Sequence, residues 1–277
     1  MSRARLDPRR WLDQTAVLEK HGRILVVRDD VLEGGTKLRF LPFLTQGAKE
    51  IVYGTPFCGG AQLALAVLGR ESGQRVTLFT AQRKRLHARQ LAAQARGAHI
   101  VQVPFGYMTN VQAKARAYAK ESGALFLPLG FDVPEAREPF LEAIRRVRRR
   151  SGSPDEVWCA TGSGMLARSL AEGFPSSKIV AVGVGLKSRH LSHGLHWPRN
   201  AEILESVQPF EQEEKERAPF PCDGNYDRKA WAQLVKHQKP GRSYLFWNVM
   251  SPHHAEDCVG LGNRVLEILE QKRAAGS

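Results

Sequence analysis

Arg28-Asp29-Asp30-Val31-Leu32-Glu33-Gly34-Gly35-Thr36-Lys37-Leu38-Arg39-Phe40 follows directly on the apolar run Ile24-Leu25-Val26-Val27. That run has strand character, while Leu38, Leu41, Phe43 and Leu44 recur at roughly helical spacing. The pattern predicts Lys37 near a strand-to-helix junction, with Gly34 and Gly35 allowing a tight turn. An amine at a helix start feels the positive end of the helix dipole, which favours its neutral form, and a neutral lysine is a nucleophile towards aldehydes. Taken alone, Gly-Gly-Thr-Lys fits an ordinary turn followed by a solvated lysine better.

A second stretch, Ala160-Thr161-Gly162-Ser163-Gly164-Met165, lies between the apolar run Val157-Trp158-Cys159 and a helical pattern through Leu166 and Leu170. Small residues let backbone N–H groups approach an anion, and the helix that follows supplies free donors and a dipole. Ordinary strand-turn-helix units share that order. Elsewhere strands and helices alternate. Strands are predicted near 50–53, 75–80, 99–103, 124–127, 156–160, 179–184 and 243–248, and helices near 60–71, 86–96, 110–121, 135–149, 164–173, 227–238 and 254–272. This order implies parallel sheets covered by helices. The chain is predicted to open with a helix capped by Asp7, entered at Pro8, containing Trp11, Ala16, Val17 and Leu18, and stopped by Gly22. From about Lys187 to Asn225 no periodicity is evident, which marks a functional loop or an unrecognised element.

The strings Arg-Asp-Asp at 28–30 and Gly-Gly-Thr-Lys-Leu-Arg at 34–39 closely resemble the cofactor-lysine segment of fold type II pyridoxal-phosphate enzymes. They are nearest the branch containing 1-aminocyclopropane-1-carboxylate deaminase and D-cysteine desulfhydrase. The resemblance runs from about Leu25 to Leu269. It implies an α/β protein of two parallel-sheet, three-layer α/β/α domains with the cofactor in the cleft between them. The larger, cofactor-binding domain comprises residues 1–53 and 134–277, and a smaller α/β domain over 54–133 is inserted in it.

In such an enzyme Lys37 carries pyridoxal 5'-phosphate as a Schiff base, and Thr161, Gly162, Ser163, Gly164 and Met165 hold the phosphate. Tyr53-Gly54-Thr55-Pro56-Phe57-Cys58-Gly59-Gly60-Ala61-Gln62 occupies the place of the family's Ser-x-Asn loop, which makes Gly59, Gly60, Ala61 and Gln62 candidates for the substrate carboxylate. The sequence departs there: Cys58 stands near the expected Ser, and Gly60 or Ala61 near the expected Asn. Cys58 is either a substitute in proton transfer or a buried structural thiol. Asn225-Tyr226-Asp227 and Asn248-Val249-Met250-Ser251 match the branch's C-terminal part, where a Tyr opens a helix and a later strand ends beside the pyridine nitrogen. Tyr226 is the implied catalytic residue there, and Asn248 or Ser251 the implied neutral partner of that nitrogen.

The chain has 277 residues, 42% of them hydrophobic, and can bury a sizeable core. No apolar run approaches the length of a membrane span, and Met1 to Arg10 lacks the apolar core of a signal peptide, so a cytoplasmic protein without a membrane partner is expected. The four cysteines, Cys58, Cys159, Cys222 and Cys258, form no C-x-x-C pair. His190, His193 and His196 recur every third residue, but no neighbouring Cys or carboxylate completes a ligand set, and no metal is expected.

Charge is the unusual global feature. Forty-one Lys and Arg oppose 28 Asp and Glu, a formal net charge of +13. The excess fits a polyanionic partner or a compositional bias towards arginine. Clusters occur at Arg83-Lys84-Arg85-Leu86-His87-Ala88-Arg89 and at Arg145-Arg146-Val147-Arg148-Arg149-Arg150; the second also complements a helix C-terminus. Arg83, Lys84, Arg85 and Arg89 are the nucleic-acid candidates. A chain this short for the family, with a basic rim, resembles the compact pyridoxal-phosphate enzymes of bacteriophage thymine hypermodification. That implies a substrate amino-acyl group carried on thymine in phage DNA, decarboxylation as the favoured reaction, and the cytoplasm of an infected bacterial host. The alternatives are a lyase or deaminase for a free amino acid and a non-catalytic nucleic-acid-binding relic of the fold. A homodimer is the expected assembly.

Overall fold

Val157-Trp158-Cys159-Ala160, Ile179-Val180-Ala181-Val182 and Leu245-Phe246-Trp247 have no polar face, the pattern of parallel strands covered by helices on both sides, and all are buried. They form the centre of a six-stranded sheet in the structure, a computed structural model that describes residues 6–104, 106–184, 197–206, 208–210, 212–250 and 252. In chain order the strands are β1 (Leu18–His21), β2 (Ile24–Arg28), β3 (Glu50–Gly54), β4 (Arg75–Ala81), β5 (His99–Val103), β6 (Leu125–Leu127), β7 (Glu156–Thr161), β8 (Lys178–Gly183), β9 (Ala201–Glu205) and β10 (Tyr244–Asn248). The helices are α1 (Arg10–Asp13), α2 (Leu41–Leu44), α3 (Ala61–Ser72), α4 (Ala88–Ala95), α5 (Met108–Ser122), α6 (Pro134–Ser151), α7 (Met165–Gly173) and α8 (Asp227–His237).

The chain divides into two compact units. One comprises Asp7–Leu44 and Gly130–Ser251, and the other is built on Thr45–Leu129. The first holds the six-stranded sheet, ordered β1-β2-β10-β7-β8-β9, parallel except for the β1–β2 hairpin. Ile24, Val26, Trp158, Val180 and Phe246 pack with Ala230, Trp231 and Leu234 of α8. Helices α6 and α7 pack together, and α7 lies against β7 and β8. The second unit holds the parallel sheet β5-β4-β3-β6, in which Val52 and Phe79 pack with Val111, Ala115 and Ala119 of α5. Its helices end on left-handed glycines, Gly73 after α3 and Gly123 after α5.

Three expectations change. The opening helix is a single turn, because Gly22 at φ +60° reverses the chain and Leu18–His21 pairs with Ile24–Val27 as a hairpin instead of winding on. The dividing line falls before β3, expected with the larger domain: its pairing with β4 and β6 places it in the four-stranded sheet. The aperiodic segment after Lys187 contains an edge strand, β9, which sequence periodicity missed because its residues are only half-buried. The helix expected over 254–272 and the three spaced histidines lie outside the described residues. Among the described residues no helix is long and apolar enough to cross a membrane, and no group of three His, Cys, Asp or Glu is placed to hold a metal.

Candidate active site

The carboxyl ends of three neighbouring parallel strands, β2, β10 and β7, deliver three segments to one point: the Lys37 segment, Val249-Met250, and Thr161–Met165. Thr36, Lys37, Phe40, Thr161–Met165, Tyr226 and Val249 are among the residues lining a cavity of about 50 Å³ there. At roughly 10–15 Å³ per water that is room for only a few waters, or for a small anionic group in their place.

Lys37 is half-buried within a short 3-10 segment, Gly35–Arg39. It does not head an α-helix, so the dipole expected to neutralise its amine is weak at best. What fixes the segment is tertiary. The Thr36 N–H donates to Val249 O at 3.0 Å, and Trp247 Nε1–H donates to Thr36 Oγ1 at 3.0 Å with both residues buried. Gly35 has φ +71°, and a Cβ there would overlap Val249 O. Flanking Lys37, Asp29 and Arg39 form a buried ion pair at 2.6 Å, and Arg39 also donates to Trp11 O at 2.8 Å. The Arg-Asp-Asp string is thus a brace: Asp29 holds Arg39, and Asp30 holds Arg28 at 2.9 Å.

The glycine turn carries donors of two kinds. Gly164 N–H is spent on Thr161 Oγ1 at 3.1 Å, which closes the turn, and Gly162 N–H bonds the Tyr226 phenol oxygen. The N–H groups at the start of α7 have by position no intrahelical acceptor, and the Ser163 hydroxyl shows no hydrogen bond among the described residues, so both can serve an anion. Gly164 sits at φ +83°, so glycine is required by the backbone. Gly162 has no such constraint. A Cβ there meets nothing nearer than Tyr226 at 3.8 Å, so the space it leaves opens on the cavity and not on protein.

Behind Tyr226 lies a residue that sequence analysis passed over. Asp227 is fully buried; its Oδ2 accepts from the Met250 N–H at 3.2 Å, while its Oδ1 is buried with no hydrogen-bond partner among the described residues. Burial holds its pKa well above the usual carboxylate range. Asp223 adds to the rise, while the Val249 and Met250 N–H groups and the Lys37 charge oppose it. Tyr226 is pushed up in turn, by burial first and then by Asp227, so its phenol stays protonated at neutral pH. In sequence, Asp227 reads as an acidic complement to a helix N-terminus, a role that hides its burial.

Asn248 donates its amide to Pro221 O at 2.8 Å, and its Oδ1 is buried with no partner among the described residues; like Asp227 it is not among the residues lining the cavity, where Val249 is. Ser251 lies outside the described residues. In the other unit, Cys58 is buried and Gln62 is an internal strut, its Nε2 donating to Pro56 O at 2.9 Å and Phe57 O at 3.0 Å. Gly59 and Gly60 are partly exposed beside the start of α3, where Ala61 is buried. Arg83, Lys84 and Arg85 are exposed, but Arg89 is buried and its guanidinium donates to the Cys58 carbonyl. In the second basic cluster Arg146 pairs with Asp13 and Glu142, and Arg148 and Arg150 donate to Gly173 O and Ala16 O.

The architecture is that of the fold type II pyridoxal-phosphate enzymes. Among solved structures the chain is similar to an ACC deaminase homologue (17% identity over 86% of this chain and 88% of that one, TM-score 0.71). It is also similar to O-acetyl serine sulfhydrylase isoform 3 from Entamoeba histolytica (15%, 90% and 89%, 0.67) and to a hydrogen sulfide-producing enzyme from Fusobacterium nucleatum (16%, 88% and 98%, 0.66). No family profile and no curated protein sequence matches it.

Proposed function

We propose that this protein is a pyridoxal-phosphate-dependent enzyme acting at the α-carbon of an amino-acid group. The observation that carries the proposal is the convergence on one small cavity of a lysine, a glycine turn heading a helix, and a tyrosine backed by a buried carboxyl with an unpartnered oxygen. These residues fit the cofactor: Lys37 Nζ to hold it covalently, Ser163 and the first N–H groups of α7 to take its phosphate, and Asp227 Oδ1 to face its ring nitrogen. Bound there, pyridoxal phosphate supplies an electron sink for charge left at the substrate α-carbon.

The chain's own groups divide the remaining work. The Tyr226 phenol, protonated at neutral pH, is a proton donor at the cavity wall. Asp227, whose burial raises its pKa, would gain a cationic partner from a protonated ring nitrogen, as Asn248 or Ser251 would supply a neutral one. Trp247 and Val249 hold the Lys37 backbone still through Thr36.

The finer reading is a substrate amino-acyl group carried on thymine in phage DNA, with decarboxylation. The net charge of +13 supports it. A lyase or deaminase for a free amino acid is the second reading, supported by the likeness to an ACC deaminase homologue and to threonine deaminases. Lys37→Ala should abolish turnover and the visible cofactor absorbance of the purified protein; an unchanged visible band would exclude Lys37 as the anchor. Mass spectrometry of nucleosides from modified DNA before and after incubation, beside an assay with a free amino acid such as D-cysteine, separates the two substrates.

A further inference from the structure

The positive charge of this chain is concentrated. From Ser72 to Lys120 there are nine lysines and arginines and no aspartate or glutamate. Since the whole chain has 41 basic and 28 acidic side chains, the other 228 residues hold 32 against 28, close to balance. A compositional bias would spread the excess; here one stretch of the smaller unit, running from the end of α3 to the end of α5, carries most of it.

Two loops bring part of that charge together with an aromatic ring. Arg83, Lys84 and Arg85 follow β4 and are exposed, and none of the three forms an ion pair among the described residues. The loop after β5 lies against them. Gln82 N–H donates to Val103 O at 2.9 Å, Arg83 N–H donates to Gln102 Oε1 at 2.8 Å, and a Cβ on Gly106 would fall 2.5 Å from Ala81 Cα. At the end of this second loop stands Tyr107, 79% exposed, the most exposed large apolar side chain among the described residues. Asn110 and Lys114 are exposed one and two turns along from it on α5. The Arg83 guanidinium carbon already stacks 3.9 Å from the Phe57 ring centroid, so its side chain is partly ordered.

We propose that this carboxyl edge of the four-stranded sheet binds single-stranded nucleic acid, with Arg83, Lys84 and Arg85 on the phosphates and Tyr107 stacked on an unpaired base. Unpaired cations alone would suit any polyanion. An exposed tyrosine on the adjoining loop suits the strand whose bases present a free π-face, which a duplex buries and an acidic peptide lacks. The inference deepens the reading of a DNA-borne substrate, on which its biological sense rests, but its test uses no catalysis.

The experiment is a fluorescence-anisotropy titration of the full-length protein with short oligothymidine, oligouridine, a duplex of equal length and polyglutamate. Single strands are expected to bind tightest, the first two arms telling DNA from RNA. Tyr107→Ala should weaken single-strand binding about tenfold, from the loss of one base stack. The triple reversal of Arg83, Lys84 and Arg85 to Glu should lower the slope of log affinity against log salt by about two, at roughly 0.7 per phosphate contact on a single strand. Reversing Arg145 and Arg149, exposed on α6 in the other unit, tests net charge by itself and should change binding less than twofold. Duplex or polyglutamate binding as tight as single-strand binding, a silent Tyr107→Ala, or an equal loss from the α6 reversal would overturn the proposal. Visible cofactor absorbance, read on the same samples, reports separately on the catalytic reading: strand binding by a protein without cofactor would sink that reading and leave this one standing.

Discussion

At the scale of single residues, Asp227 is where the site departs most from what a stable protein needs. A carboxyl buried with one oxygen unpartnered has a raised pKa, so the folded state holds its proton more tightly than the unfolded chain does. Its stabilising contribution is complete below the unfolded value of about 3.9 and is lost as pH rises through the folded value. Asp227→Asn keeps the shape and removes the ionisation. Free of cofactor, the variant should therefore be more stable than the wild type by about 1–3 kcal/mol at alkaline pH, with the difference fading towards pH 4 or so. Cofactor affinity and turnover should fall in the same variant, since the ring nitrogen loses its anionic partner. Denaturant unfolding of both proteins across that pH range is the measurement, and a pH-independent difference would assign the titration to another group.

At the scale of elements, two glycines with similar neighbours in sequence have opposite reasons to be glycine. Gly35 is demanded by the fold: it has φ +71° and a Cβ would overlap Val249 O. Gly35→Ala should cost more than about 2 kcal/mol and shift Lys37 with it, because strain and overlap add. Nothing in the described protein demands glycine at 162, where a Cβ would meet nothing nearer than Tyr226 at 3.8 Å. Gly162→Ala should leave the stability of the cofactor-free protein within about 0.5 kcal/mol and weaken cofactor binding, and Gly162→Asp should weaken it far more through repulsion of the phosphate. Thermal unfolding and cofactor titration on the variants separate the cases. If Gly162→Ala binds pyridoxal phosphate like wild type, the phosphate lies elsewhere.

At the scale of the whole molecule, a ligand held only by the folded chain stabilises it by mass action. Pyridoxal phosphate at a hundred times its Kd should add about 2.7 kcal/mol, read as a concentration-dependent rise in Tm that Lys37→Ala diminishes; a Tm indifferent to the cofactor would count against the catalytic reading. Much of the architecture was legible beforehand. Each parallel strand from Glu50 to Asn248 except β9 matches its expected bounds within one or two residues; β3, β7, β8 and β10 are buried on both faces and leave apolar runs whatever their neighbours are. Lys37 and Thr161–Met165, singled out from local pattern, line one cavity in the structure. Tertiary structure alone decided the rest. Leu18–His21 had helical spacing, but pairing with β2 gave its backbone a ladder that a lone helical turn could not match. Asp227 opens α8 and is buried behind Tyr226, where the chain leaving β10 reaches it through the Met250 N–H; no local pattern signals that meeting. Strand order is a property of long-range packing and leaves no trace in local pattern, and that is why the sequence could mark Lys37 and the Thr161–Met165 turn as candidates while only the folded sheet brought them to one cavity.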